Sequence, residues 1–294
     1  MYYAAIDIGS NAIRLMIAAI TRSGSKVSYK KKSLIRIPLR LGDEAFRDKR
    51  LSETKAEGLL RAMHEFKHLM DKYDVSDYMA CATSAMREAV NGPAIIEEVK
   101  DKTGLEIRII DGKTEAGIIS GHLQATLEKK KNYLYIDVGG GSTELSVFSG
   151  GGIQASASFN IGTIRLMDKR DSEDIWKEMK SFIRTNTRDL KKVYGIGTGG
   201  NINKLIKLSD EKKKDYLSFS QLKKTYDYLR SFSLKERIEV LGLNPDRADV
   251  IIPASEIFLS VMEWGGIRKI YVSRKGLADG IISLLIEKNF RNGQ

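Results

Sequence analysis

One pattern occurs twice in this chain and constrains it more than anything else. Ala4-Ala5-Ile6-Asp7-Ile8-Gly9 is echoed 130 residues later by Leu134-Tyr135-Ile136-Asp137-Val138-Gly139. The likeness continues beyond the turn, where Ser142-Thr143-Glu144-Leu145 takes the place of Ala12-Ile13-Arg14-Leu15. An apolar run that ends at Asp-X-Gly and resumes after a few small residues reads as strand, tight turn, strand. Self-similarity at long spacing takes precedence over local preference. The repeat therefore predicts two related α/β halves, each opening with an Asp-bearing hairpin. A charged stretch at 127–132 suits the joint, which divides the chain into 1–126 and 127–294. A last helix over about 276–290 is expected to pack back on the first half.

Between the two copies the pattern is mixed. A third strand is predicted near 26–39, and a helix from an N-cap at Ser52 to about Lys72. A short strand at 78–82, a Thr-Ser turn with a helical stretch, a strand at 105–110 and a helix at 112–126 follow. After Asn160 helices dominate, interrupted by strands near 193–196 and 269–272.

Composition narrows the class without choosing a function. Hydrophobic residues make up 42% and charged residues 30%, a globular balance. No apolar run approaches the ~18 residues that span a bilayer, and the first residues lack the basic start of a signal peptide. A single cysteine, Cys81, excludes an intrachain disulfide and fits a reducing, cytoplasmic setting. Three histidines (His64, His68 and His122) give no zinc spacing. The net charge of +11, with lysine runs at 30–32, 129–131 and 212–214, gives a field that attracts polyanions.

The two turns carry the chemistry. Glycines after a strand let successive N–H groups approach a ligand and form an anion-binding nest. An Asp at the strand end can hold a hard cation or its waters. Asp7-Ile8-Gly9-Ser10-Asn11 and Asp137-Val138-Gly139-Gly140-Gly141-Ser142-Thr143 both fit that description. A third segment, Gly195-Ile196-Gly197-Thr198-Gly199-Gly200-Asn201, follows an apolar strand and precedes a helix, a recurring phosphate-binding arrangement. It lacks the lysine of a P-loop and the spacing of a dinucleotide fingerprint.

Taken together, IDIGSNAIRL (6–15), ATSAMREAVN (82–91), DGKTEA (111–116), IDVGGGSTEL (136–145), NIGTIRL (160–166), GIGTGGN (195–201), NPDRADVII (244–252) and VSRKGLADG (272–280) resemble the exopolyphosphatase / guanosine pentaphosphate phosphohydrolase family. The matches occur in family order along nearly the whole chain. The resemblance implies an α/β fold of two actin-like (ribonuclease H-like) domains around a central cleft, and Mg2+-dependent release of orthophosphate from a chain end. It implies that Glu115 orients and deprotonates the attacking water, that Asp137 and Glu144 handle the metal together with Asp7, and that Arg87 clamps substrate phosphate. Ser10, Asn11, Arg14, Gly139, Gly140, Gly141, Ser142, Thr143, Gly197, Thr198 and Gly199 would contact substrate phosphates. Inorganic polyphosphate or a guanosine polyphosphate is the implied partner, with neither nucleic acid nor membrane, and the assembly a homodimer.

Three departures from the family pattern bear on activity. Ala12 replaces a small hydroxyl residue, Ala278 replaces an arginine, and the chain ends without the histidine-rich helical domain of longer relatives. A short form of this kind is expected to favour short polyphosphate. Exopolyphosphatase is the leading reading. The alternatives are a guanosine pentaphosphate 5′-phosphohydrolase, an actin-like ATP-binding kinase or assembly module, and a nucleotide-binding sensor without hydrolysis.

Overall fold

The structure, a computed structural model, describes residues 1–24, 26–124, 127–169, 172–210 and 215–291. The lysine run at 212–214 and the end of the helix expected at 112–126 lie outside these residues. Contacts divide the chain into two compact units. One comprises Met1–His122 with Leu277–Gln294, the other Leu123–Gly276.

In the first unit the strands are β1 (Tyr2–Ile8), β2 (Ile13–Ser23), β3 (Lys26–Ile37), β4 (Val75–Ala82) and β5 (Ile107–Ile109). The helices are α1 (Gly42–Ala45), α2 (Glu53–Lys72), α3 (Ser84–Glu88), α4 (Gly92–Thr103), α5 (Gly112–Gln124) and the C-terminal α13 (Leu277–Arg291). The sheet order is β3-β2-β1-β4-β5. β1 sits in the middle, antiparallel to β2 and parallel to β4. It is buried along nearly its whole length, as a strand covered on both faces must be.

α2 begins where the sequence places it. Ser52 Oγ accepts from Lys55 N at 3.3 Å and satisfies an orphan donor of the first turn. Leu59, Ala62, Met63, Phe66 and Met70 then form its buried stripe at three- and four-residue spacing. α5 and α13 touch closely. A Cβ on Gly280 would lie 2.6 Å from Ile118 O, so glycine is what lets these helices approach. His122 Nδ1 and Ser283 Oγ are 2.6 Å apart in the same contact.

The second unit contains β6 (Asn132–Val138), β7 (Thr143–Ser149), β8 (Gly152–Phe159), β9 (Val193–Thr198), β10 (Tyr216–Ser218) and β11 (Lys269–Val272). Its helices are α6 (Thr163–Met167), α7 (Glu173–Thr187), α8 (Gly200–Leu208), α9 (Phe219–Arg230), α10 (Leu234–Glu239), α11 (Pro245–Ala248) and α12 (Ile251–Trp264). Read from β8, the sheet order is β8-β7-β6-β9-β11-β10. Strand for strand this repeats the first sheet, with β10 added at the far edge. Leu134, Ile136 and Val138 of β6 pack in one core with Ile257, Phe258 and Val261 of α12. The architecture is the duplicated α/β arrangement of the actin-like fold.

Candidate functional site

Hairpin geometry is the same in both units. Gly9 N donates to Ala12 O at 3.2 Å, and Gly139 N to Ser142 O at 2.9 Å. Asp7 pairs with Arg14 across β1 and β2, and Asp137 pairs with Glu144 across β6 and β7. Directly opposed residues of an antiparallel pair share a face. Each turn therefore displays its Asp beside a second charged group, and that second group has opposite sign in the two units.

In the first unit the turn is anchored from several sides. Ser10 Oγ lies 2.9 Å from Ser84 Oγ, with both residues buried. Ser10 O accepts from Gly42 N at 2.8 Å, and Asn11 O accepts from Arg40 N at 3.0 Å. Ala12 is buried. Arg14 Nη1 donates to Asp7 Oδ2 at 2.6 Å, a charge-assisted bond. With that guanidinium beside it, Asp7 is already charge-balanced within its own hairpin.

Glu115 lies in the first turn of α5, its N–H donating to Asp111 O at 3.0 Å. Its side chain is only 9% exposed. Asp111 Oδ1 in turn accepts from Thr114 N at 2.7 Å, and this bond holds the Asp111 carboxyl below its ordinary pKa. Cys81, which pairs with Asp7 across β1 and β4, places Glu115 relative to the hairpin. Burial first, then the negative charge of Asp7, pushes the Cys81 thiol up to about 12. Arg108 opposes that shift and Glu115 adds to it. Glu115 is thus within electrostatic reach of the residue beside Asp7. Arg87 Nη1 donates to Ile110 O at 2.7 Å, which ties α3 to the segment leading into Asp111 and Glu115.

The second turn is buttressed from behind by the Asn160–Leu166 motif. Thr163 N donates to Gly139 O at 3.0 Å and Ile164 N to Gly140 O at 2.9 Å. Arg165, itself buried, donates from Nε to Gly141 O at 2.6 Å. The Thr143 hydroxyl donates to Ile161 O at 2.6 Å and the residue is fully buried, so this side chain serves the shape of the turn. With their carbonyls held from behind, Gly140 and Gly141 have a fixed backbone. A Cβ on Gly162 would come within 2.4 Å of Gly140 O and 2.5 Å of Gly141 C. Gly162→Ala is expected to destabilise the protein by about 1–3 kcal/mol through overpacking, read as a lower urea midpoint at unchanged slope. An unchanged midpoint would show that the turn does not depend on this close approach.

Asp137 and Glu144 form the acid pair of this unit. Glu144 is 2% exposed and accepts from Ser158 Oγ at 2.9 Å. Opposed like charges at such a site favour a bound cation, and carboxylate oxygens suit Mg2+. Among the described residues, no three His, Cys, Asp or Glu side chains gather where a metal could be held. A pair nevertheless fits Mg2+, which is commonly bound by one or two carboxylates with water and phosphate oxygens in its remaining positions.

The third glycine segment divides its labour. Gly197 pairs with Ile136 on the core side, and a Cβ there would lie 2.8 Å from Ile270 Cδ1 and 3.0 Å from Ile202 Cγ1. What Gly197 supplies is room for packing. Thr198 pairs with Asp137 on the other face, and its hydroxyl donates to Lys275 O. Gly199 takes φ +93° at the N-cap of α8, where a Cβ would lie 3.3 Å from Asp137 Oδ1. It therefore combines a left-handed backbone with a close approach to the acid pair. Arg247 packs against Gly200, where a Cβ would meet its Nη1 at 2.0 Å. Sequence reasoning gave no role to Arg165 or Arg247, although both fall inside motifs it singled out.

The sequence profile of the Ppx/GppA phosphatase family matches residues 32–289. A bifunctional 3-dehydroquinate synthase/phosphatase of Fusobacterium nucleatum is 29% identical over 97% of this chain and 46% of its own length. A guanosine-5′-triphosphate,3′-diphosphate pyrophosphatase of Photobacterium profundum is 23% identical over 97% of this chain and 59% of its own. The chain thus spans about half the length of these two curated relatives. Among solved structures, the Aquifex aeolicus Ppx/GppA family member is 29% identical, with TM-score 0.76, over 98% of this chain and 99% of that one.

Proposed function

The chain belongs to the Ppx/GppA phosphatase family, and from that premise we propose that it is an exopolyphosphatase, releasing orthophosphate from the end of inorganic polyphosphate. The observation that carries this reading is the buried Glu115 carboxylate within reach of the Asp7–Cys81 pair, beside a turn built to receive an anion. Phosphoryl transfer asks the protein for positioning, charge neutralisation and an aligned water. N–H groups of the Ser10-Asn11 and Gly140-Gly141 turns bind phosphate oxygens. Arg14 neutralises charge on the first turn, and Arg87 fixes the approach to Glu115. Glu115 takes a proton from water as its oxygen bonds to the terminal phosphorus. The anhydride P–O bond breaks, and its electrons leave on the shortened chain. Asp137 and Glu144 would hold Mg2+, which when bound supplies positive charge to offset that of the phosphates.

The net charge of +11 favours a long oligoanion over a nucleotide. The Photobacterium relative's name supports a second reading, hydrolysis of the 5′ terminal phosphate of guanosine pentaphosphate by the same residues. A homodimer in the cytoplasm completes the proposal. No helix among the described residues is long and apolar enough to cross a membrane. Phosphate release should be measured on tripolyphosphate, long polyphosphate, guanosine pentaphosphate and ATP, each with and without Mg2+. Mg2+-dependent release from polyphosphate is expected, fastest on short chains. Release from guanosine pentaphosphate alone would select the second reading, and release from none of the four would overturn both.

A further inference from the structure

β2 and β3 pair so that Arg36 stands directly opposite Arg14. Asp7 stands on the other side of Arg14, Cys81 beside Asp7, and Arg108 beside Cys81. One row across the first sheet therefore reads Arg36, Arg14, Asp7, Cys81, Arg108, all on one face. It carries three guanidinium groups and one carboxylate. Like charges placed directly opposite destabilise a sheet. Arg36 is half-buried and its Nε is shielded from solvent, so it is not a freely solvated surface charge. Such a pair is retained most readily where an anion sits between the two guanidinium groups.

The second unit shows what the row looks like without that demand. At the positions equivalent to Asp7, Arg14 and Arg36 it carries Asp137, Glu144 and Ser158. The same framework thus holds a cationic row in one unit and an anionic row in the other, and the inversion lies in the two residues after the shared Asp. Glu144 and Ser158 are satisfied by each other at 2.9 Å. Arg14 and Arg36 both offer donors only.

We propose that Arg36 is a substrate-binding residue. Together with Arg14 it forms a two-guanidinium clamp on the phosphates next to the one that is cleaved, and so reads how many phosphates the substrate carries. The proposal rests on the reading of this site as a phosphoanhydride hydrolase. A purely structural Arg36 would affect stability and all substrates alike. A clamp acts on KM, and more strongly as phosphates are added.

The test compares wild type, Arg36→Gln and Arg36→Lys, using steady-state phosphate release from tripolyphosphate and longer polyphosphate and, separately, calorimetric binding of tripolyphosphate. For Arg36→Gln, KM should rise by about tenfold or more, with kcat within threefold and the larger effect on the longer chain. Arg36→Lys should recover part of the loss, since it keeps the charge without the bidentate fork. If Arg36→Gln turns over both substrates with wild-type KM and binds tripolyphosphate as wild type does, the inference falls and the proposed function stands. If wild type hydrolyses nothing but binds tripolyphosphate, and Arg36→Gln weakens that binding, the function falls and the clamp stands. Should Arg36→Gln not fold, Arg36→Lys with wild-type KM on both chain lengths overturns the clamp.

Discussion

Glu115→Gln is expected to lower phosphate release by about 10²–10⁴-fold, the usual contribution of a positioned general base. Glutamine matches glutamate in size and keeps an oxygen that can accept hydrogen bonds, but it cannot take a proton. Because the carboxylate is nearly buried and the backbone of its helical turn is fixed by Asp111, the variant should keep its fold. KM should change little, since the phosphates are gripped by the turns and by arginine rather than by Glu115. Glu115→Asp should also be severely slowed, because withdrawing the carboxylate by one methylene breaks the alignment on which in-line attack depends. Rates of both variants on tripolyphosphate, with melting temperatures as the folding control, decide the matter. Activity within about tenfold of wild type in Glu115→Gln would move the base to another residue.

The parts of this molecule that were legible in the sequence are those whose information is local. The Ser52 N-cap and the helix after it needed only a hydroxyl and an apolar stripe. The two hairpins were visible because strand, Asp and glycine turn recur with the same spacing, and the sheets repeat in the same order. β10 escaped notice because three residues at a sheet edge carry no periodicity. Arg36 was hidden for a different reason. Its partner is set by the register of β2 with β3, which shifts between Ile17 and Ala18 and leaves Lys32 out of the pairing. Counting residues from the turn cannot foresee an irregularity of that kind. Gly197 and Thr143 show the opposite limit. Both residue types suit a phosphate site, yet one faces Ile270 and Ile202 and the other spends its proton on Ile161 O. Only packing separates a glycine that admits a ligand from one that admits a neighbouring side chain.

Replacing Asp137 and Glu144 together by Asn and Gln is expected to separate metal binding from folding. In wild type without metal, two carboxylates face each other across β6 and β7, and Glu144 is almost fully buried. Their mutual repulsion is unfavourable to the folded state. The double variant should therefore melt at or above the wild-type temperature in the presence of a chelator. Adding Mg2+ at about one hundred times its dissociation constant should stabilise wild type by about 2.7 kcal/mol, because a ligand that binds only the folded state shifts unfolding by mass action. The neutral pair should show no such gain. Its phosphate release should fall by about 10²–10³-fold, on the scale of losing one strong electrostatic contact to the transition state. The Asp137→Asn single variant tests the assignment further. It leaves the Ser158–Glu144 bond in place, so a lost Mg2+ response there would point to Asp137 as a ligand rather than to collapse of the hairpin. If wild type and the double variant respond equally to Mg2+ in melting temperature, these two acids do not hold the metal. The inversion of charge between the two units would then need another cause.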